Sequence, residues 1–174
     1  MQPLPDHLRK DLDIVFIGFN PSLKSGESGH NYANRSNRFW KILHLSGLTP
    51  RQYAPEEDSQ LLELGYGLTN IVERPTKEAA DITKEEYKEG RLILKNKLKT
   101  FSPKIACYVG KGVYQQFSQK RQIEWGVQED SVVEGVTDFV APSSSGLVRM
   151  KIDEITDIYK ELTRLKEKHT SLYE

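Results

Sequence analysis

Two uninterrupted apolar runs constrain the fold of this chain more than any other feature. Residues 14–17 read Ile-Val-Phe-Ile and residues 105–109 read Ile-Ala-Cys-Tyr-Val, each closed by a glycine. A strand with one face in water alternates apolar and polar residues. A run that is apolar at every position belongs to a sheet covered on both faces. Strands are therefore expected at Leu12–Gly18, Lys104–Gly110 and Thr137–Ala141, with a weaker one near Ser131–Glu134. Helical patterns lie between them. Asn37–Ser46 carries Phe39, Trp40 and Leu43 and stops at Gly47; Thr83–Thr100 opens on Thr83 with Glu86 three residues on, a capping box. Gly112–Phe117 reads as a short helix, and Ile152, Ile155, Tyr159, Leu162 and Leu165 mark one face of a final helix. The polar stretch Pro50–Asp58 reads as a surface loop. Strands alternating with helices predict an α/β domain, a three-layer α/β/α sandwich with a largely parallel central sheet. It is expected to occupy residues 1–174 as a single unit with its core at about 12–165.

Several function classes are disfavoured. Lys and Arg number 25 and Asp and Glu 25, so a formal net charge of zero argues against general nucleic-acid binding. Distribution matters more than the sum. Residues 20–51 hold Lys24, Arg35, Arg38, Lys41 and Arg51 against Glu27 alone, and residues 104–125 hold Lys104, Lys111, Lys120 and Arg121 against Glu124. A local phosphate-binding face is thus allowed on a neutral protein. The single cysteine, Cys107, rules out an internal disulfide framework and a thiolate metal site, and the four histidines show no tight ligand spacing. No run approaches a membrane span, and the opening "MQPLPDHLRKD" has no apolar signal core, so neither membrane insertion nor export is expected. There is no GxGxxG, no GxxxxGK[ST] and no Gly-x-Ser-x-Gly.

In open α/β sheets, ligands sit beyond the carboxyl ends of the strands. "GFNPS" (18–22) follows the first strand and "APSSSGLVR" (141–149) follows the last, so both reach one crevice. By residue type alone, Asn20 is either a turn former beside Pro21 or an amide that orients a water or a ligand carbonyl. The Ser143–Ser144–Ser145–Gly146 run is either a flexible loop or a loop that threads donors among phosphates.

These segments, together with "SGHNYANRSNRFW" (28–40), "TNIVERPT" (69–76) and "EGRLILKNKL" (89–98), closely resemble the mismatch-specific uracil/thymine DNA glycosylases. Five motifs in order cover about Leu12 to Leu165. The resemblance implies the uracil-DNA glycosylase fold. It also implies a monomeric, monofunctional enzyme that hydrolyses the N-glycosidic bond of uracil, or thymine in some members, in G·U or G·T mispaired duplex DNA, the first step of base excision repair. Asn20 then falls on the asparagine that positions the hydrolytic water. Gly18 and Phe19 match the turn whose backbone lines the base pocket. Ser22 and Ser25 lie on the pocket wall, Tyr32 takes the place of the ring that stacks on the flipped base, and Asn70 matches a polar pocket position. Ser143, Ser144, Ser145, Gly146, Leu147 and Arg149 match the loop that enters the helix and contacts the opposite guanine. Lys111 is assigned to DNA contact, and Phe39 and Trp40 to packing.

Two departures stand out. Ser22 replaces a usual glycine, and "PSSSGL" joins a serine run of the thymine-type enzymes to the Gly-Leu wedge of the uracil-type ones. No carboxylate stands in "GFNPS", so water is oriented rather than deprotonated and turnover is expected to be slow. No metal or organic cofactor is implied, and no motif lysine is placed for β-lyase chemistry. The location expected is cytoplasmic, at the nucleoid, in a bacterial host and nuclear in a eukaryotic one. A mismatch-binding module without catalysis and a small-molecule α/β enzyme are the competing classes.

Overall fold

The computed structural model describes residues 3–172. Strands β1 (Ile14–Gly18), β2 (Tyr66–Asn70), β3 (Ile105–Val109), β4 (Gly126–Val127) and β5 (Thr137–Ala141) form one sheet in the order β2-β1-β3-β5-β4. β1 pairs in parallel with β2 and β3, β3 pairs in parallel with β5, and only the short β4 is antiparallel. The α/β sandwich expected from the apolar runs is therefore present.

Strand alternation sorts the core into two layers. Ile14 and Phe16 of β1, Ile105, Cys107 and Val109 of β3, and Phe139 of β5 face one cluster. Val15, Ile17, Ala106, Tyr108 and Val140 face the other. The first layer is closed by helices α2 (Phe39–Leu45) and α5 (Ile152–Leu172), through Phe39, Ile42, Leu43, Ile155, Tyr159 and Leu162. Phe16 meets Phe39 edge-on at 5.4 Å and Tyr66 at 6.0 Å. The second layer is closed by α3 (Lys84–Phe101) and α4 (Lys111–Ser118). The capping box opens α3 as expected: Glu86 N donates to Thr83 Oγ1 and Thr83 N to Glu86 Oε1.

Three local expectations change. The weak strand at Ser131–Glu134 is a turn. Val132 N donates to the buried Asp138 carboxylate rather than to a neighbouring strand, and Gly135 turns the chain at φ 86° into β5. The added strands are the two-residue β4 and β2, the latter with the sequence Tyr-Gly-Leu-Thr-Asn. Gly67 there lacks room for any side chain, because a Cβ would stand 2.7 Å from both His7 O and Leu12 Cδ1. His7 bridges to Leu68 along the free edge of β2, giving that edge a partner. Finally, Pro50–Asp58 is not simply a surface loop. Tyr53 and Asp58 are buried, and a 3-10 helix runs from Pro55 to Leu64.

Candidate active site

The carboxyl ends of β1 and β2 meet at Gly18 and Asn70, which are register partners. A Cβ on Gly18 would stand 2.7 Å from Asn70 Oδ1 and 3.2 Å from the Tyr32 hydroxyl, so three segments distant in sequence touch at one point. A cavity of about 200 Å³ opens there, lined by Gly18, Phe19, Asn20, Ser22, Tyr32 and Asn70 and by Ser143, Ser144 and Ser145 from the loop after β5. It continues into a cleft of about 320 Å³ that shares Asn20, Ser22, Tyr32, Asn70 and Ser145 and adds Ser25, Gly146 and Leu147. Gly18→Ala is therefore expected to push the Asn70 side chain into the cavity. It should lower the affinity of the cavity for whatever fills it with little loss of fold, read as weaker binding at an unchanged melting temperature.

Asn20 is held by its amide nitrogen. Nδ2 donates at 2.8 Å to Arg74 O and at 2.8 Å to Thr76 Oγ1. The Thr76 hydroxyl has one proton, which it gives to Glu78 O at 2.7 Å, so it faces Asn20 as an acceptor. Both partners accept, and the amide orientation follows from the network. Oδ1 is left for whatever occupies the cavity, and it accepts a hydrogen bond. The anchor continues outward: the Arg74 guanidinium grips Glu86 through two contacts of 2.8 Å, and that pairing holds the Glu86 carboxyl down at about 2. Thr76→Val should free the Asn20 amide to rotate. About a tenfold loss in any step that needs this amide oriented is the expected result, the worth of one modest hydrogen bond at about 1.4 kcal/mol.

Tyr32 adopts φ 51° and lays its ring on Phe39, 3.9 Å between centroids at 12°. Its hydroxyl is buried without a hydrogen-bond partner among the described residues. Burial, then the nearby Cys107, pushes the phenol far above its ordinary range, so it stays a neutral donor. The preceding loop is fastened by Asp58, which is 2% exposed and accepts from Asn31 N at 2.9 Å, Asn31 Nδ2 at 3.1 Å and His30 Nδ1 at 3.2 Å. His7 Nε2 adds an electrostatic contact at 3.4 Å. Burial opposes ionisation, but these partners outweigh it and hold the Asp58 carboxyl well below the usual carboxylate range.

Ser22 has a structural task where a glycine was expected. Its hydroxyl accepts from Ser25 N at 3.1 Å and caps helix α1 (Leu23–Ser28). Ser25 is buried, and its own hydroxyl accepts from Ala33 N, tying α1 to the Tyr32 loop. Phe19 turns its ring away to Tyr87 and Gly112, which leaves its backbone at the cavity.

The loop after β5 is pinned at both ends. Ser144 is buried and its carbonyl accepts from Arg38 N. The Arg38 guanidinium then donates to Ser145 O at 3.1 Å, Val148 O at 3.3 Å and Met150 O at 3.3 Å. Ser145 Oγ accepts from Leu147 N. Gly146 lies so close to Ser36 that a Cβ would meet its carbonyl oxygen at 2.7 Å. Between these anchors Leu147 stands 91% exposed, beside the cleft.

Two residues assigned to DNA contact lie apart from both cavities. Arg149 is exposed and lines neither, and the Lys111 ammonium sits over the Trp125 ring at 4.3 Å. Conversely, Asn37 and Lys77 line both cavities and were not singled out as site residues from sequence. Asn37 sits in the "NRFW" motif, and Lys77 directly follows "TNIVERPT". Phe39 and Trp40 are buried packing residues.

A family model, the uracil DNA glycosylase superfamily, matches residues 5–164. The chain belongs to the uracil DNA glycosylase superfamily. Its structure is also similar to the solution NMR structure of a candidate uracil DNA glycosylase from Methanosarcina acetivorans. The two share 21% identity over 93% of this chain and 98% of that one, with a TM-score of 0.59, a likeness of fold. Membership supports glycosylase chemistry on uracil-containing DNA as the general activity.

Proposed function

We propose that this superfamily member is a monofunctional, mismatch-directed glycosylase that removes uracil opposite guanine from duplex DNA, with thymine opposite guanine as its secondary substrate. The observation that carries this reading is the Asn20 amide at the cavity, its Nδ2 held by Arg74 O and Thr76 Oγ1 so that Oδ1 remains as its acceptor. Chemistry on a base requires the nucleotide to leave the stack, and a mispaired base leaves at least cost. Leu147 fills the space it vacates. The flipped pyrimidine enters between Tyr32 and the Gly18–Asn20 turn, where Asn70 and the Tyr32 hydroxyl supply hydrogen bonds to its polar edge. Asn20 Oδ1 accepts from a water and aims its lone pair at C1′. As the C1′–N1 bond lengthens, positive charge grows on the sugar and negative charge on the base. Backbone N–H groups of the Gly18–Asn20 turn stabilise that leaving anion. Water adds to C1′, its proton passes to solvent, and the base and an abasic sugar are released.

An amide orients water but accepts its proton very poorly, so the chemical step is slow. Leu147→Ala is expected to slow excision from a G·U duplex and to spare excision from single-stranded uracil, where no stack has to be refilled. Equal losses on both substrates would contradict the wedge role. The test of the whole reading is single-turnover cleavage of labelled duplexes, with alkali developing the abasic product.

A further inference from the structure

A groove of about 610 Å³ leads away from the active site beside Tyr32 and Asn37. It is lined by Lys24, Arg35 and Lys41, all exposed, with Glu56 as the acidic side chain on its wall. None of the three cations takes part in a hydrogen bond or ion pair among the described residues. Arg51 nearby is different: it is paired with Glu57 and lies over Tyr53 at 4.1 Å. Three cations against one carboxylate leave the groove net positive, and on a protein of zero net charge that excess is local. A second observation points to a ligand. Trp40 lines the groove and is 4% exposed, yet its indole N–H is buried without a hydrogen-bond partner among the described residues. Ammonium and guanidinium groups only donate, so the exposed rim of the groove offers donors and positive charge to an acceptor-rich anion, with the unpartnered indole N–H lying behind it.

We infer that this groove is an extended DNA-binding site that carries the phosphodiester backbone flanking the flipped nucleotide. It shares Tyr32 and Asn37 with the active-site cavities, which puts it next to the crevice that a strand would leave. The identity of the strand rests on the glycosylase reading above. The phosphate chemistry rests on the groove alone, and Lys24, Arg35 and Lys41 match up to three phosphates.

The test is binding of undamaged duplex DNA, long and short, by the full chain across a salt series. The triple variant Lys24→Gln, Arg35→Gln, Lys41→Gln is compared with a control of equal charge loss on α3, Lys88→Gln, Lys95→Gln, Lys99→Gln. Each lost duplex phosphate contact lowers the slope of log K against log salt by about 0.9. The groove variant should therefore lose roughly 2–3 from the slope on long duplex, and the control should keep the wild-type slope. On a duplex too short to reach the groove, the variant and wild type should bind alike. A wild-type slope in a folded groove variant overturns the proposal, as does an equal loss in the α3 control. Because excision plays no part in this readout, the two readings separate. Wild-type protein that binds through the groove and excises nothing would sink the glycosylase and keep the groove, and excision with an unchanged slope would do the reverse.

Discussion

Asn20→Ala is expected to lower the single-turnover rate of uracil excision from a G·U duplex by at least about 10²-fold while duplex binding persists. The reasoning starts from the amide itself. In the wild type both protons of Nδ2 are committed, to Arg74 O and to Thr76 Oγ1, and the oxygen alone is offered to the cavity. Alanine removes that oxygen and leaves the cavity walls as they are, so a water can still enter but has nothing to aim it. Losing the orientation of a reacting group by even an ångström carries a penalty of this size. Asn20→Asp separates orientation from proton acceptance. A carboxylate there loses the bond to Arg74 O, since two acceptors would face each other, yet gains basicity. Excision by Asn20→Asp that rises with pH through the carboxyl range would show that a base, absent in the wild type, had been introduced.

Asp58→Ala is the second large effect, and it is an effect on stability. The carboxylate is buried and receives Asn31 N, Asn31 Nδ2 and His30, with His7 close by. Truncation leaves buried donors unsatisfied, at about 1–3 kcal/mol each, and a total near 3 kcal/mol is expected after water enters. For a chain of this size that is roughly 6–12 °C in Tm. The loop released is the one that carries Tyr32, so uracil affinity should fall with it. The pH dependence has a definite sign. Asp58 has a folded pKa below its unfolded one, so its stabilisation is present in full above the unfolded value of about 4 and fades as pH falls toward the folded value. Wild type and variant should therefore converge in stability below about pH 4 and differ most at neutral pH. A gap that stays constant through the acid limb would show that Asp58 contributes by packing and not by charge.

What could be read from the chain alone follows a physical division. β1, β3 and β5 were legible because strands buried on both faces write continuous apolar runs, and α3 because its cap and its apolar stripe are local. β2 was not, since Gly67 and Asn70, both poor strand formers, break up Tyr-Gly-Leu-Thr-Asn as a local pattern, and pairing with β1 holds it in place. The same contrast runs through the site. Asn20, Tyr32 and Leu147 sit in motifs whose order pointed to them. Thr76, which sets the Asn20 amide, and Arg38, which braces the Leu147 loop, act across 56 and 107 or more residues of chain. No local pattern encodes such contacts. Ser22 shows the reverse: from sequence it read as a pocket-wall residue in place of a usual glycine, and in the fold its hydroxyl is engaged in capping α1.

The most direct test of the central claim is a substrate panel under single-turnover conditions: G·U, G·T and A·U duplexes and single-stranded uracil, each developed with alkali. The account predicts abasic product from G·U fastest, slower product from G·T and A·U, and a Leu147-independent trace from the single strand. Folded protein that binds these duplexes and yields no abasic product from any of them would contradict it.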